Sequence, residues 1–351
     1  MPIYINGMGC ISPQPTFDNS VFLPEVKEFS TNRIVCVDPD YNAFFDAGSI
    51  RRMWHLLKFG TAAGLIALKD AGLKTPGAIT TGTGLGLPEV SQKFLRSLIE
   101  SDETIVSPTT FIQSTHNTVS SNIALLCGCH AHNNTFSQRG FSFESALTDA
   151  LLLSEENTDN ILVGAFDEVS NYKFTAMKKR GVLRSEPCSN LDAFAEHNHG
   201  VIAGEGAAFF VLSKQKNENT YSSFVGCKMF YKPENTEEVK NYISSFLAEN
   251  HLSVADVDII LEGVNGDENH DAVYKELNRS FFGEQTQCTY KNLCGEYMTA
   301  SSFAYWLAAK ILKTQIIPPQ IIHSDKKRAP KYILIYNSYA NNHSLILFRH
   351  V

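Results

Sequence analysis

The sequence has no run of eighteen apolar residues, so no part of it reads as a membrane-spanning helix. Its start, MPIYINGMGCISPQ, lacks a basic segment followed by a long apolar one, so a signal peptide is not expected. Basic residues are too few for a nucleic-acid surface. There are 30 Lys and Arg against 37 Asp and Glu, a formal net charge of −7, with no dominant Lys/Arg cluster. That balance still leaves room for a local basic patch facing an acidic carrier protein. The low hydrophobicity and heavy charge of disordered chains are also missing. At 43% hydrophobic and 19% charged, the 351 residues can bury a large core. The eight cysteines, at 10, 36, 127, 129, 188, 227, 288 and 294, form no compact framework and read as reduced thiols of a cytoplasmic protein. Cys127-Gly-Cys129-His130 lacks the second pair a zinc site would need, so no metal is expected. The glycine run Gly82-Thr-Gly84-Leu-Gly86 lacks the GxGxxG spacing and the acidic-ended strand of a dinucleotide site. It predicts a tight turn and no cofactor.

What is present is an alternation of short apolar strands and helices. Residues 3–5 read as a strand broken at Gly7 and Gly9, and 15–50 as an irregular excursion. Helical spacing predicts 53–71, closed by Gly72, then 88–101, 115–128 ending at Gly128, and 140–153. Strands are expected at 78–81, 133–136 and 161–165, with two more around the Gly-Glu-Gly turn in 200–212. After a polar seam at 213–222 the alternation resumes. Strands are expected at 223–230, 257–262, 286–290, 331–336 and 344–349, and helices at 236–250, 271–279 and 298–313. The division is therefore 1–212 and 223–351, two halves of similar topology.

Several segments, in order, resemble the β-ketoacyl synthases. Tyr4-Ile-Asn-Gly7-Met8-Gly9-Cys-Ile-Ser12-Pro13 is similar to their opening V-T-G-M-G-x-x-S-P. The run Ser114 to Ala124 resembles the segment before their nucleophile strand, and Asn134-Thr135-Phe136-Ser137-Gln138-Arg139-Gly140 stands where they have T-A-C-x-S-G. Ile161 to Glu168 resembles V-x-G-G-x-E, Gly200 to Ala208 resembles G-F-V-x-G-E-G-A-G, and Asn337-Ser338-Tyr339 resembles the start of N-S-F-G-F-G-G-T-N-G. The resemblance implies a thiolase-like α/β fold of two similar halves, each a mixed five-stranded sheet with helices, layered α-β-α-β-α.

That family's chemistry needs a cysteine thiolate at a helix N-terminus, where the dipole lowers its pKa, and two histidines. By the resemblance Ser137 holds the cysteine's place. Leu261-Glu262-Gly263-Val264-Asn265-Gly266 resembles V-E-A-H-G-T, with Val264 at the first histidine's place. Lys291-Asn292-Leu293-Cys294-Gly295-Glu296 resembles K-S-x-x-G-H, with the lysine retained and Glu296 at the second histidine's place. A serine hydroxyl is a poor nucleophile without a base. Of the candidates His116, His130, His132, His270 and His343, none stands where the family places one, so Ser137 reads as a relic. A one-residue shift would put Gln138 in the cysteine's place instead. Glu296 serves as a general base if buried, or pairs with Lys291 or faces solvent, the structural role being the leading expectation. His270 and Asp271 are adjacent and are expected to point apart, with Asp271 capping a helix. Phe136, Gln138, Phe141, Asn341 and Asn342 are candidate acyl-pocket or gate residues. Phe141, Phe143, Leu147 and Leu151 on the helix after Ser137 read as packed core.

All three catalytic positions depart from the pattern, so condensing activity is expected to be lost. The leading expectation is a chain-length-factor-like partner of an active ketosynthase in fatty-acid or polyketide-type chain building. SPTTFIQSTHN with SQRGFSFE is similar to ketosynthase-like proteins of aryl-polyene and flexirubin-type pathways. The alternative is an acyltransferase or decarboxylase on carrier-bound groups using Ser137, and a third reading is a homodimer that only binds an acyl chain. Expected partners are an acyl carrier protein and a ketosynthase or second copy.

Overall fold

In the computed structural model every residue is described except Met1, Ile105, Ser185, 193–199 and 327–328. The strands are β1 (Ile3–Ile11), β2 (Ala78–Gly82), β3 (Asn133–Phe136), β4 (Ile161–Asp167), β5 (Gly206–Ser213), β6 (Ser223–Tyr231), β7 (Ile259–Glu262), β8 (Thr286–Thr289), β9 (Ile322–Ser324), β10 (Tyr332–Tyr339) and β11 (Asn342–Arg349). The helices are α1 (Ala47–Arg52), α2 (His55–Asp70), α3 (Pro88–Glu100), α4 (Pro108–Gln113), α5 (Thr118–Cys127), α6 (Ser142–Glu155), α7 (Asn171–Lys179), α8 (Thr236–Glu249), α9 (Glu268–Ser280), α10 (Lys291–Cys294) and α11 (Ser301–Thr314). Of these, α1, α4, α7 and α10 were not anticipated from periodicity. Residues 200–205, expected as a strand, make only isolated bridges, such as Leu183 with Val201 and Ala203 with Glu296.

The strand order is β3-β2-β4-β5-β1-β6-β11-β10-β7-β8-β9. Counted from its own first strand, the set before β6 runs third, second, fourth, fifth, first. With the short edge strand β9 left out, the set β8-β7-β10-β11-β6 repeats that order. The two sets join where Ile3 and Tyr4 pair with Phe224 and Ser223, continued by Ile5 N–H donating to Ser222 O at 3.0 Å.

Five layers follow from which residues each strand turns to either side. Helices α2 and α5 cover one face of the first sheet against Ile79, Leu162, Phe209 and Val211. Helices α6 and α11 lie between the sheets, against Ile5, Met8, Val163 and Phe210 on one side and Ile259, Leu261, Ile333 and Ile335 on the other. The far face packs Ile260, Leu334, Leu345 and Leu347 against α8 and α9. Ile259, Ile260 and Leu261 thus alternate between layers with the period of two that a doubly covered strand shows.

Strand β1 runs through the two glycines that were expected to break it. A side chain at Gly9 would stand 2.2 Å from the Ala63 carbonyl oxygen, and one at Gly7 2.5 Å from the Ala71 nitrogen. The glycines are therefore a groove for α2 rather than a strand end.

Candidate functional site

β3 ends at Phe136, and the chain turns through Ser137 and Gln138 into a short 3-10 turn, Arg139–Phe141, before α6 begins. The Gln138 N–H donates to Ser142 Oγ at 2.9 Å, and that hydroxyl donates to the Arg139 carbonyl at 2.8 Å. Arg139 sits at φ +54, a left-handed position costly for a residue with a Cβ. Gly140 has no room for a side chain, since a Cβ would lie 2.7 Å from Tyr339 Cβ and 3.2 Å from Asn342 Cβ. Ser137 therefore stands at a strand-to-helix turn, as expected. That turn, however, follows the edge strand of the chain's own sheet, not its centre. Ser137 and Gln138 are exposed, and Gln138 Oε1 accepts from Ser145 Oγ at 2.5 Å. Among the described residues no base reaches the Ser137 hydroxyl.

The second centre lies in the other half. After α10 the chain passes Gly295 at φ +72 and presents Glu296 inward. The backbone there is clamped: Glu296 N–H donates to Ile202 O at 2.8 Å, and Gly204 N–H donates to Glu296 O at 3.1 Å. A side chain at Gly204 would lie 2.0 Å from the Cys294 carbonyl oxygen, so the 200–206 segment needs glycine to seat this one. Lys291 Nζ donates to Glu296 Oε2 at 2.8 Å and to the Ser338 carbonyl at 3.3 Å. Asn265 Nδ2 donates to the same Oε2 at 2.8 Å. The lysine and glutamate side chains are 2% and 6% exposed, which makes this a buried ion pair. The residue facing Glu296 is thus Asn265, one position after Val264. Val264 packs into the outer core with α8 and α9 instead. The turn is fixed by Asp271, whose carboxylate accepts from Asn265 N–H at 3.0 Å and Gly266 N–H at 2.7 Å.

A hairpin joins the two centres. Tyr339 pairs with Asn342, leaving Ala340 and the exposed Asn341 as a two-residue turn, with Ala340 at φ +53. Burial pushes the Tyr339 phenol up; Glu296 and Asp167 add to this, while Arg180 and Arg139 oppose it. Tyr339 is therefore within electrostatic reach of both the turn before α6 and the Lys291–Glu296 pair. Beneath it, Glu144 of α6 is fully buried and accepts from Ser344 Oγ at 2.8 Å. Burial raises its carboxyl, with hydroxyl hydrogen bonds and Lys291 opposing. Glu144 and Asn265 were not singled out in the sequence. A glutamate on an otherwise apolar helix face was the available signal for the first.

Phe143 and Leu147 are in the central core as expected, with Leu151 packed against it. Phe136 also packs against that core, and Phe141 is half-buried at the helix start. Of the histidines, His132 binds Asp149 at 3.0 Å. His343 meets the Tyr336 hydroxyl at 2.9 Å, and burial lowers its pKa to about 4. His116 and His130 are exposed. His270 and Asp271 do not point apart. His270 Nδ1 lies 2.9 Å from Asp271 Oδ1, and its Nε2 lies 2.7 Å from Ser338 Oγ. The helix cap is Asp267, which accepts from the Asn269 and His270 N–H groups.

Two repeated sheets around a buried helix pair, with a strand-to-helix turn near the hairpin that follows β10, define a thiolase-like protein. Residues 27–218, more than half of the chain, match the family model for the β-ketoacyl synthase N-terminal domain, and the chain belongs to that family. A stretch of 214 residues is 24% identical to 3-oxoacyl-[acyl-carrier-protein] synthase 2 of Vibrio cholerae, covering 54% of this chain and 50% of that protein. The match thus spans only half the length of that curated relative. The fold resembles the ishigamide ketosynthase/chain length factor with a TM-score of 0.82 at 16% identity, over 100% of this chain and 99% of that one. It also resembles the ketosynthase ApeO in complex with its chain length factor ApeC from Xenorhabdus doucetiae, with a TM-score of 0.77 at 15% identity, over 100% and 98%. Among the described residues no helix is long and apolar enough to cross a membrane.

Proposed function

We propose that this chain is a non-condensing member of its family that works in fatty-acid or polyketide-type chain building beside an active ketosynthase, in the manner of a chain length factor. The observation that carries this reading is the Lys291–Glu296–Asn265 network. Condensation needs a thiolate nucleophile and two imidazoles that handle protons and the enolate. Here an exposed serine without a base replaces the first. At the second site a carboxylate is already committed to a lysine and an amide. Neither group supplies an ionisable ring poised near neutrality.

The partner role draws on the surface. β3 leaves one edge unpaired, and Phe111, Ile112, Leu125 and Leu126 are exposed on the nearby α4 and α5. An open edge beside apolar side chains is an association surface. The ketosynthase ApeO is found in complex with its chain length factor, and the type II ketosynthase AntDE with its acyl carrier protein AntF. For an acidic carrier, Lys178 and Lys179 in the last turn of α7, with Arg180 and Arg139 near Tyr339, offer a basic approach to the site. In this reading the halves 1–212 and 223–351 are the working units and the protein acts in the cytoplasm.

The test is purification of the tagged chain from its host, with native mass spectrometry and a condensation assay on malonyl-loaded carrier. The expected result is a one-to-one complex with a ketosynthase that keeps its cysteine and two histidines, and no condensation by the chain alone. Condensation product from the isolated chain would overturn the proposal, and an acyl adduct on Ser137 would favour the acyltransferase alternative.

A further inference from the structure

We propose that Ser338, His270 and Asp271 form a serine nucleophile site, separate from Ser137, that takes an acyl group from an activated ester or thioester. The three groups lie in line: Ser338 Oγ to His270 Nε2 is 2.7 Å, and His270 Nδ1 to Asp271 Oδ1 is 2.9 Å. Asp271 is 4% exposed and is itself fixed by the Asn265 and Gly266 N–H groups, so it can hold the ring with its proton on Nδ1. Nε2 then accepts the serine proton. The Ser338 carbonyl oxygen, 3.0 Å from Nε2, accepts the N–H formed by that transfer. Tyr274 Oη lies 3.2 Å from Ser338 Oγ and is held there by the Ser338 N–H at 2.9 Å. Burial keeps that phenol protonated, so it is a donor next to Ser338 Oγ, available to the oxygen that would carry negative charge once an acyl carbon bonds there.

In the step, Ser338 Oγ attacks the thioester carbonyl carbon as its proton passes to Nε2. The C–S bond breaks, the thiolate takes that proton, and the acyl group stays on Oγ. Water, deprotonated by Nε2, then releases the carboxylic acid and restores the serine. Ser338 is 1% exposed behind a ring whose side chain is 13% exposed, so the group proposed to reach it is a small acyl head rather than a long chain.

This goes beyond the partner role and is tested without a ketosynthase. The purified chain is treated with a small alkyl fluorophosphonate, and the adduct is mapped by peptide mass spectrometry. The expected result is one adduct on Ser338, absent in Ser338→Ala and formed about 100-fold or more slowly in His270→Gln. Circular dichroism checks both folds. If Ser338→Ala does not fold, the mapped wild-type adduct and the His270→Gln rate decide. No adduct, an adduct elsewhere (Ser137 included), or an unchanged rate in His270→Gln would overturn the proposal.

Discussion

Replacing Glu296 with Gln removes the charge that faces Lys291 Nζ at 2.8 Å and changes the side-chain shape little. The lysine is then an uncompensated cation at 2% side-chain exposure. Breaking one side of a buried pair costs about 3–5 kcal/mol, because the remaining charge has neither water nor a counter-ion. Lys291→Met, which strands the carboxylate, should cost the same order. The double variant Lys291→Met/Glu296→Met removes both charges. Loss of a buried pair to apolar side chains is neutral to favourable, set against about 1–3 kcal/mol for the orphaned Asn265 amide. It should therefore lie within about 2 kcal/mol of wild type and above either single variant. In urea, with a slope of about 3 kcal/mol per molar, each single change lowers the unfolding midpoint by about 1–1.7 M. Circular dichroism and intrinsic fluorescence across a urea series measure this. If Glu296→Gln shifts the midpoint by less than about 0.3 M, or if the double variant is weaker than both singles, water reaches the pair. The centre would then be an open, hydrated site rather than a sealed one.

Glu262, at the end of β7, accepts from Asn278 Nδ2 at 2.9 Å, and its other oxygen has no partner. Burial raises its pKa to about 8, with the Asn278 hydrogen bond opposing and Asp271 adding to the rise. The folded state thus keeps a proton that the unfolded chain loses near 4.5. Stability is undiminished below about pH 4.5, falls by up to about 1.4 kcal/mol per pH unit toward pH 8, and levels above it. Glu262→Gln should flatten that slope and be the more stable protein at pH 8, as melting curves between pH 5 and 8 would register. Ala340, at φ +53 in the hairpin turn, pays the left-handed penalty of about 1–2 kcal/mol. Ala340→Gly should gain about 0.5–1 kcal/mol after glycine's entropy is counted, seen as a rise of about 1 °C in Tm.

Much of the architecture was legible because its signals are periodic. Apolar runs such as 161–165 named the covered strands, and Gly128 at φ +64 closes α5 as its position implied. What was misread depended on contacts distant in sequence. Gly7 and Gly9 look like a strand end until α2 is seen lying across them. The glycine run at 82–86 was rightly read as a turn, but the reason is remote: a side chain at Gly84 would meet Met298 Sδ at 2.4 Å. At the site, sequence similarity placed the slot opposite Glu296 at Val264. The backbone hydrogen bonds of Asp271 turn Asn265 inward instead, a one-residue difference that no pattern of residue types fixes. His270 and Asp271 were dismissed as neighbours pointing apart. Their alignment becomes visible only with Ser338, 68 residues on, in place.

The distribution of what is kept and what is changed bears on function. Asp167, buried at the end of β4, binds Thr83 Oγ1 at 3.1 Å and Gly84 N–H at 2.9 Å in one half, and Thr299 Oγ1 at 2.8 Å in the other. Gly204 against Cys294 is a second such seam, with no tolerance for a side chain. Burial raises the Asp167 carboxyl, so this junction costs desolvation and persists because these three donors and the Thr299 N–H at 3.1 Å offset it. Both junctions join the halves, and the second also seats Glu296. On the proposed reading, the three positions that the family resemblance assigns to the reaction, Ser137, Val264 and Glu296, all carry residues other than its cysteine and two histidines. Were Ser137 alone altered, a cysteine there would restore a nucleophile to a working pair of rings. With Glu296 engaged by Lys291 and Asn265, Ser137→Cys should yield an alkylatable thiol and still no condensation. A chain that keeps such seams between its halves without a condensing set would contribute shape, which is what the proposed partner role asks of it.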